Sequence, residues 1–160
     1  YADESTWARG QAWALYGYTM CYRETRDIRY LEQAEQVAGW LFQHPNMPED
    51  LIPHWDFDAA GLPNEPRAVS AAAIIASALL ELHLFSNQGA LYEEKARVIL
   101  QNIITKYSSK PGENKGFILS HSTGSKPADM EVDKPLSYAD YYFLEALSRI
   151  NKEDANRHRK

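Results

Sequence analysis

Apolar residues recur at three- and four-residue spacing along most of the chain, a period that predicts α-helices. The segments with this pattern cover residues 7–25, 28–43, 69–85, 91–107 and 137–150. The second and fourth are amphipathic, which is typical of helices that pack one face against a core. The third is apolar on nearly every side and is expected to be surrounded by neighbours. The pattern predicts an all-α fold in which outer and inner helices alternate.

The buried faces of these helices can be predicted from the same spacing. Leu31, Ala34, Ala38 and Leu41 form the buried stripe of the second helix. The first helix is expected to be capped by Ser5 or Thr6. Further core positions are predicted in the first, fourth and last helices and at the single cysteine: Trp13, Leu15, Tyr16, Met20, Cys21, Ala96, Ile99, Leu100, Ile103, Ile104, Tyr138, Tyr141, Tyr142, Leu144 and Leu147.

Two long connections, residues 45–66 and 110–135, are rich in proline and glycine. The apolar run at 117–119 predicts a short strand within the second connection. Irregular segments of this length in a compact domain are usually functional, so both are candidate binding loops.

Composition sets the class of protein. A chain of 160 residues with 44% hydrophobic and 24% charged residues is typical of one globular domain. A net charge of -5 argues against nucleic-acid and membrane partners, and the basic run at 157–160 is expected to be a solvated tail. We therefore divide the chain into a domain over 1–150 and a charged tail over 151–160.

The richest candidate site is the Trp-Ala-Arg-Gly-Gln-Ala-Trp motif at residues 7–13. Trp7 and Trp13 offer flat faces to a sugar ring, and the fork of Arg9 suits a carboxylate or sulfate. Gln11 can bind hydroxyls. The alternative is structural: both indoles anchor the core and Arg9 caps a helix end.

Three further motifs follow in order: His-Trp-Asp-Phe-Asp at 54–58, Asn-Glu-Pro-Arg at 64–67 before a Ser-Ala-Ala-Ala run, and Asp-Tyr-Tyr-Phe-Leu-Glu-Ala-Leu at 140–147. Together with the first motif they resemble the unsaturated glucuronyl hydrolases of glycoside hydrolase family 88. The resemblance covers residues 5–150 and implies the C-terminal portion of an α/α (six-hairpin) barrel. It also implies a bacterial enzyme of the cytoplasm or periplasm with no metal and no organic cofactor.

The activity that this resemblance implies is removal of an unsaturated uronic acid from an oligosaccharide. In the family an Asp protonates the C4=C5 double bond, water adds at C5, and the glycosidic bond then breaks. The family's catalytic Asp residues precede the first motif, so no catalytic residue is expected on this chain, and the isolated chain is expected to be inactive. Ala68 departs from the family pattern, which has Asp after the arginine.

The segment 120–126 combines hydroxyls, a cation and a glycine, a composition that suits an oxyanion. By resemblance, Ser122, Ser125 and Lys126 approximate a family loop that binds sulfate, with His121 beside them. A plain polar turn is the alternative. Trp55 is either a stacking wall of the cleft or an anchor of its loop. His54, Asp56 and Asp58 lack the spacing of a metal site, and His44 and His83 are interpreted as structural.

The expected partners are an unsaturated uronic-acid oligosaccharide, sulfated or not, and either the missing N-terminal half of the barrel or a second copy of the chain. The alternative function is a non-catalytic helical domain that binds carbohydrate or another protein. A repeat-type interaction protein is disfavoured, because no fixed-period self-similarity is visible.

Overall fold

A computed structural model describes residues 2–158 of the chain. In this range it has five α-helices, α1 (Ala8–Thr25), α2 (Ile28–Gln43), α3 (Val69–Leu82), α4 (Gly89–Lys106) and α5 (Ser137–Arg157), and one 3-10 turn at Asn114–Gly116. These are the helices that the apolar spacing predicts, with boundary shifts of a few residues. Arg159 and Lys160 of the predicted tail lie outside the described residues.

The helices form two layers with α3 at the centre. It packs against α1, α4 and α5, while α2 packs against α1. Every residue of α3 is buried, as its all-round apolar pattern predicts. The helices α1, α3 and α5 therefore form the inner row, and the amphipathic α2 and α4 form the outer row.

The inner row is tied together by a chain of charges. The side chain of Glu81 in α3 is 8% exposed and forms two ion pairs. Its Oε1 lies 2.6 Å from Arg23 Nη1 of α1, and its Oε2 lies 2.9 Å from Arg149 Nη2 of α5. A largely buried carboxylate between two guanidinium groups is costly to break, so it favours one register of the three helices.

The predicted core is correct in α2 and mostly correct in α4, where only Ile104 is exposed. In α1 and α5 several large side chains that were predicted to be buried are exposed. The buried stripes there are rich in alanine, which allows the helices to approach α3 closely. Met20, Tyr141 and Leu144 are exposed and Cys21 is only partly buried, whereas the buried positions of α1 and α5 are Ala8, Arg9, Ala12, Leu15, Thr19, Ala139, Phe143, Ala146 and Ile150.

The ends of two helices also differ from the prediction. Ser5 and Thr6 do not cap α1, because their hydroxyls donate to Asp56 and Asp58 instead. The helix α5 continues past Ile150 to Arg157, and ion pairs from Asp154 to Arg97 at 2.5 Å and from Arg157 to Glu93 hold the extension against α4. The tail up to Arg157 is therefore helical.

The connection between α4 and α5 contains no strand in the described part of the chain. Leu119 instead makes a single isolated bridge to Ser108. Over residues 2–158, no helix is both long enough and apolar enough to cross a membrane.

Candidate functional site

The N-terminal ends of α1 and α3 meet both long connections at one end of the molecule. The segment around Trp55 lies between the entry to α1 and the entry to α3: Ala8 N–H donates to the Trp55 carbonyl, and Trp55 N–H donates to the Pro66 carbonyl, each at 3.0 Å. The second connection lies over the start of α3, where Val69 N–H donates to the His121 carbonyl at 3.3 Å. Residues far apart in sequence are thereby brought to one surface.

This surface contains a cavity of about 410 Å³, which is large enough for a sugar. Its walls come from the segment before α1, from α1, and from both connections. Five of the residues predicted to bind substrate line it: Trp7, Arg9, Trp55, Ser125 and Lys126. The remaining lining residues are Ala2, Ser5, Gly124 and Pro127.

Arg9 supplies a buried positive charge beside this cavity. Its Nη1 and Nη2 donate to the carbonyls of Thr123 and Gly124, each at 2.5 Å, so the fork holds the loop that carries Ser125 and Lys126. The guanidinium also lies over the Trp7 ring, 4.6 Å from its centroid. Burial lowers the pKa of Arg9, but an arginine remains cationic in proteins. Arg9 therefore positions the loop and makes the cavity electropositive.

Two indoles line the cavity. Trp7 is 42% exposed and lies across Gly10, where an added Cβ would be 3.1 Å from the ring. A larger residue at this position would push the ring aside. Trp55 is only 6% exposed, and its Nε1 donates to a carboxylate oxygen of Glu65 at 2.7 Å. Trp55 therefore closes its loop and also lines the cavity, while its stacking against a sugar stays a prediction.

Four other predicted residues do not line the cavity. Gln11 lies on α1 outside the lining, and Trp13 packs edge-on against Tyr142 at a centroid distance of 5.1 Å. His121 is exposed and its Nδ1 lies 2.7 Å from a carboxylate oxygen of Asp133. The structure thus separates Gln11, Trp13 and His121 from the group around Arg9.

Ser122 is the fourth predicted residue that does not line the cavity. The residue is fully buried, and its Oγ accepts a hydrogen bond from Ser70 N–H, in the first turn of α3, at 3.0 Å. The hydroxyl is therefore occupied in capping a helix rather than directed at the cavity. Of the predicted sulfate-binding trio, only Ser125 and Lys126 face the cavity.

Arg67 has a carboxylate partner although position 68 is Ala. Arg67 Nη1 lies 3.3 Å from a carboxylate oxygen of Asp50 and also donates to the Ile52 carbonyl. Ala68 itself is buried, with 1% exposure, immediately before α3. Asp50 therefore supplies a carboxylate to Arg67 without one at position 68, and it shares this carboxylate with Lys106, whose Nζ lies 3.7 Å away.

The polar residues of the 54–58 motif have structural partners. Asp56 is 1% exposed and accepts hydrogen bonds from Thr6 N–H at 3.1 Å and Asp58 N–H at 2.8 Å. His54 Nδ1 lies 2.7 Å from the Glu65 carbonyl, and because a carbonyl only accepts, this nitrogen carries the proton. Burial lowers the pKa of His54, so the ring is held neutral.

The sequence pattern missed several residues of the site. Tyr138, interpreted as a core residue, stacks on the Arg9 guanidinium with its ring centroid 5.3 Å away. Thr123 and Gly124 contribute backbone carbonyls, which every residue has, so the sequence gives no sign of this role. Glu65 lies within a motif that was used only for the resemblance. Tyr138 could have been found from the aromatic side chains at the start of the last helix, and the others only from coordinates.

The described residues thus form an end of a two-layer α/α fold that carries an aromatic, electropositive and sugar-sized cavity. Such a site is typical of proteins that bind anionic carbohydrate. No family model matches the chain.

Comparison with known proteins identifies the homologues of this chain. It is 48% identical over 145 residues to an unsaturated glucuronyl hydrolase from Formosa agariphila, an alignment that covers 91% of this chain and 36% of that protein. A crystal structure of an unsaturated glucuronyl hydrolase specific for heparin superposes with a TM-score of 0.93 at 50% identity, covering 95% of this chain and 41% of the other. A variant enzyme from Streptococcus agalactiae, solved with dGlcA-GalNAc6S, gives a TM-score of 0.85 at 29% identity over 94% and 40% of the two chains.

The chain is therefore homologous to the unsaturated glucuronyl hydrolases, and its helices correspond to part of their α/α barrel. It spans about two fifths of the length of the relatives that it matches, a coverage consistent with a C-terminal part. The predicted family resemblance and fold class are confirmed.

Proposed function

We propose that this chain is the substrate-binding segment of an unsaturated glucuronyl hydrolase, which hydrates the C4=C5 double bond of a terminal unsaturated uronic acid. The observation that carries the proposal is the cavity in which Trp7, Arg9, Trp55, Ser125 and Lys126 meet. Its cations suit the uronate carboxylate, and its indoles suit the C–H faces of pyranose rings.

Within this proposal the chain binds and orients the substrate but does not transfer protons. Among the described residues that line the cavity there is no Asp, Glu or His. An acid that protonates the double bond must lie within hydrogen-bonding reach of it. In the proposed enzyme that acid therefore comes from residues other than these.

The proposal extends to sulfated substrates through Ser125 and Lys126. Lys126 is exposed at the cavity edge, and Ser125 is half-buried beside it. A relative has been solved with a disaccharide that carries a 6-sulfate in its name, dGlcA-GalNAc6S. We place a sulfate of the sugar next to the uronate near these two side chains.

Replacement of Trp7 tests the proposal in the enzyme that contains this segment. Trp7→Ala should lower kcat/KM on an unsaturated uronyl disaccharide by about tenfold, because a stacking face is lost. The reaction is followed by loss of the ultraviolet absorbance of the C4=C5 double bond. Trp40→Ala is the matched control, since Trp40 is 38% exposed but packs elsewhere, against Phe57 and His44.

Two outcomes would overturn the proposal. One is an enzyme that leaves the double bond intact in every unsaturated uronyl disaccharide tested. The other is Trp7→Ala and Trp40→Ala variants with the same kcat/KM. Binding of the disaccharide without turnover by the whole protein would instead favour a non-catalytic carbohydrate-binding domain.

A further inference from the structure

We propose that Glu65 is a positioning residue that fixes the indole of Trp55 as the wall between two adjoining cavities. The inference rests on the proposed function in that the first of these cavities is the proposed sugar site. Glu65 does not line that site, although it is one of the residues that line the second cavity. It acts on the site through Trp55.

Trp55 also lines a second cavity, of about 320 Å³. Both cavities share Ala2, Ser5, Trp55 and Lys126 as lining residues. A rotation of the Trp55 ring would therefore change the shape of both spaces at once. An oligosaccharide that extends from one cavity to the other would contact this ring along its edge.

A side-chain hydrogen bond contributes to the orientation of the ring. Trp55 Nε1 donates to Glu65 Oε2 at 2.7 Å, and an indole has no other polar atom. The backbone of the same residue is also fixed, because Trp55 N–H donates to the Pro66 carbonyl at 3.0 Å. The main chain thus places the Trp55 Cα, and the hydrogen bond to the Glu65 carboxylate favours the observed side-chain rotamer.

The carboxylate has its own support in Gly61. A Cβ at position 61 would lie 2.3 Å from Glu65 Oε1, closer than any allowed contact. The turn keeps Gly61 close, because Asn64 N–H donates to the Gly61 carbonyl at 2.9 Å. The missing side chain at Gly61 leaves the space that the Glu65 carboxylate occupies. Glu65 is further fixed through its own carbonyl, which accepts from His54 Nδ1 at 2.7 Å.

The hydrogen bond can be measured without any substrate. The indole N–H signals of a ¹⁵N-labelled chain are recorded by NMR, and Trp55→Phe identifies the signal of Trp55. We expect this signal to be shifted downfield and slow to exchange with solvent, because its N–H is bonded to a carboxylate in a buried place. Glu65→Ala should remove both properties, and Glu65→Gln, which keeps an acceptor oxygen, should restore part of them.

The consequence for the site is measured in the enzyme that contains this segment. Glu65→Ala should raise KM for an unsaturated disaccharide by about tenfold with a smaller change in kcat, and Glu65→Gln should recover part of the loss. Gly61→Val should reproduce the Glu65→Ala defect, because the new side chain displaces the carboxylate. Glu49→Gln is the matched control, since Glu49 is an exposed carboxylate of the same connection that lines neither cavity.

The two measurements separate this inference from the proposed function. A Trp55 indole signal that exchanges as fast as that of exposed Trp7, or that is unchanged by Glu65→Ala, overturns the positioning role whatever the enzyme does. So does a Glu65→Ala enzyme with an unchanged KM. A protected indole signal in a protein without hydrolase activity would keep the role of Glu65 and remove only the proposed function.

Discussion

The guanidinium of Arg9 donates a hydrogen bond to the carbonyl of Gly124, a residue 115 positions further along the chain. Together with the parallel bond to the Thr123 carbonyl, this contact attaches the 123–127 loop to the first turn of α1. The predicted anion-binding fork is thus occupied by the protein's own backbone. Arg9 therefore contributes its positive charge to the cavity as a residue of the cavity wall.

Replacement of Arg9 by lysine should therefore weaken the loop and the site together. Lysine keeps the charge but lacks the planar fork that bonds two carbonyls at once. In the enzyme that contains this segment, kcat/KM should fall by roughly 10- to 100-fold, equivalent to about 1–3 kcal/mol. Arg26→Lys is the control, because Arg26 lies over the rings of Tyr22 and Phe85 away from the cavity. Parental kcat/KM in Arg9→Lys would contradict this role.

Replacement of Ser122 should affect stability rather than specificity. Ser122→Ala leaves the Ser70 N–H in the first turn of α3 without its partner, and such a loss costs about 1–2 kcal/mol of unfolding free energy. Urea denaturation measures the cost. The ratio of activities on sulfated and unsulfated disaccharides should not change, whereas Ser125→Ala should lower it. A lower ratio in Ser122→Ala at unchanged stability would reverse this assignment.

Replacement of Lys126 should narrow the preference for a sulfated substrate. The side chain is exposed at the cavity edge, so its attraction to sulfate is screened by salt. The effect of Lys126→Ala on the activity ratio should therefore be larger at low ionic strength than at high. Lys110→Ala, at an exposed position of the same connection, serves as the control. An equal ratio in parent and Lys126→Ala at both salt concentrations would exclude this lysine from the site.

The neutral His54 should make stability sensitive to mild acid. Its folded pKa is lowered by burial below the ordinary value of 6.5, so the unfolded chain binds more protons in this range. Stability should be complete above pH 6.5 and should be lost as the pH falls through the lowered pKa. His54→Asn keeps a donor for the Glu65 carbonyl and should reduce this loss, as measured by urea midpoints at several pH values. The exposed His158→Asn is the control, and an unchanged pH dependence in His54→Asn would contradict the assignment.

The isolated chain should associate or bind hydrophobic dyes. Tyr141 and Leu144 are 59% and 51% exposed on α5, and Met20 is 38% exposed on α1. Since the chain spans 36% to 41% of the relatives it matches, we expect the rest of such a barrel, or a second copy, to cover these faces. Sedimentation and dye fluorescence test this expectation. A compact monomer with a sharp cooperative melt and no dye binding would show that five helices close their own core.

The sequence predicts the helices well because their apolar period is strong, above all in α3. It does less well for α5, where the extension beyond Ile150 has no apolar period and is held by Arg97 and Glu93 of another helix. Ion pairs between helices have no signature in local spacing. The large exposed residues Tyr141 and Leu144 were predicted to be buried because size and hydrophobicity outweigh alanine in a pattern, although alanine permits the closer approach.

The candidate site could be predicted only where side chains themselves line the cavity. Trp7, Arg9 and Lys126 were found because their chemistry is visible in the sequence. The occupation of the Arg9 fork by two backbone carbonyls, and of the Ser122 hydroxyl by the Ser70 N–H, depends on how distant segments meet. The sequence shows which groups a side chain can bind, but only the folded structure shows whether that side chain is bonded to the protein itself or is available to a ligand.

The buried alanines of α3 restrict how enzymes built on this frame can change. Ala71, Ala72, Ala73, Ala76 and Ala78 have no exposed surface, so a larger side chain at any of them would force the neighbouring helices apart at a cost of about 1–3 kcal/mol. The connections at the N-terminal end of α3 carry the cavity walls and have no such restriction over most of their length. New preferences for sugars can therefore arise by replacing loop residues, while the sequence and packing of α3 stay unchanged.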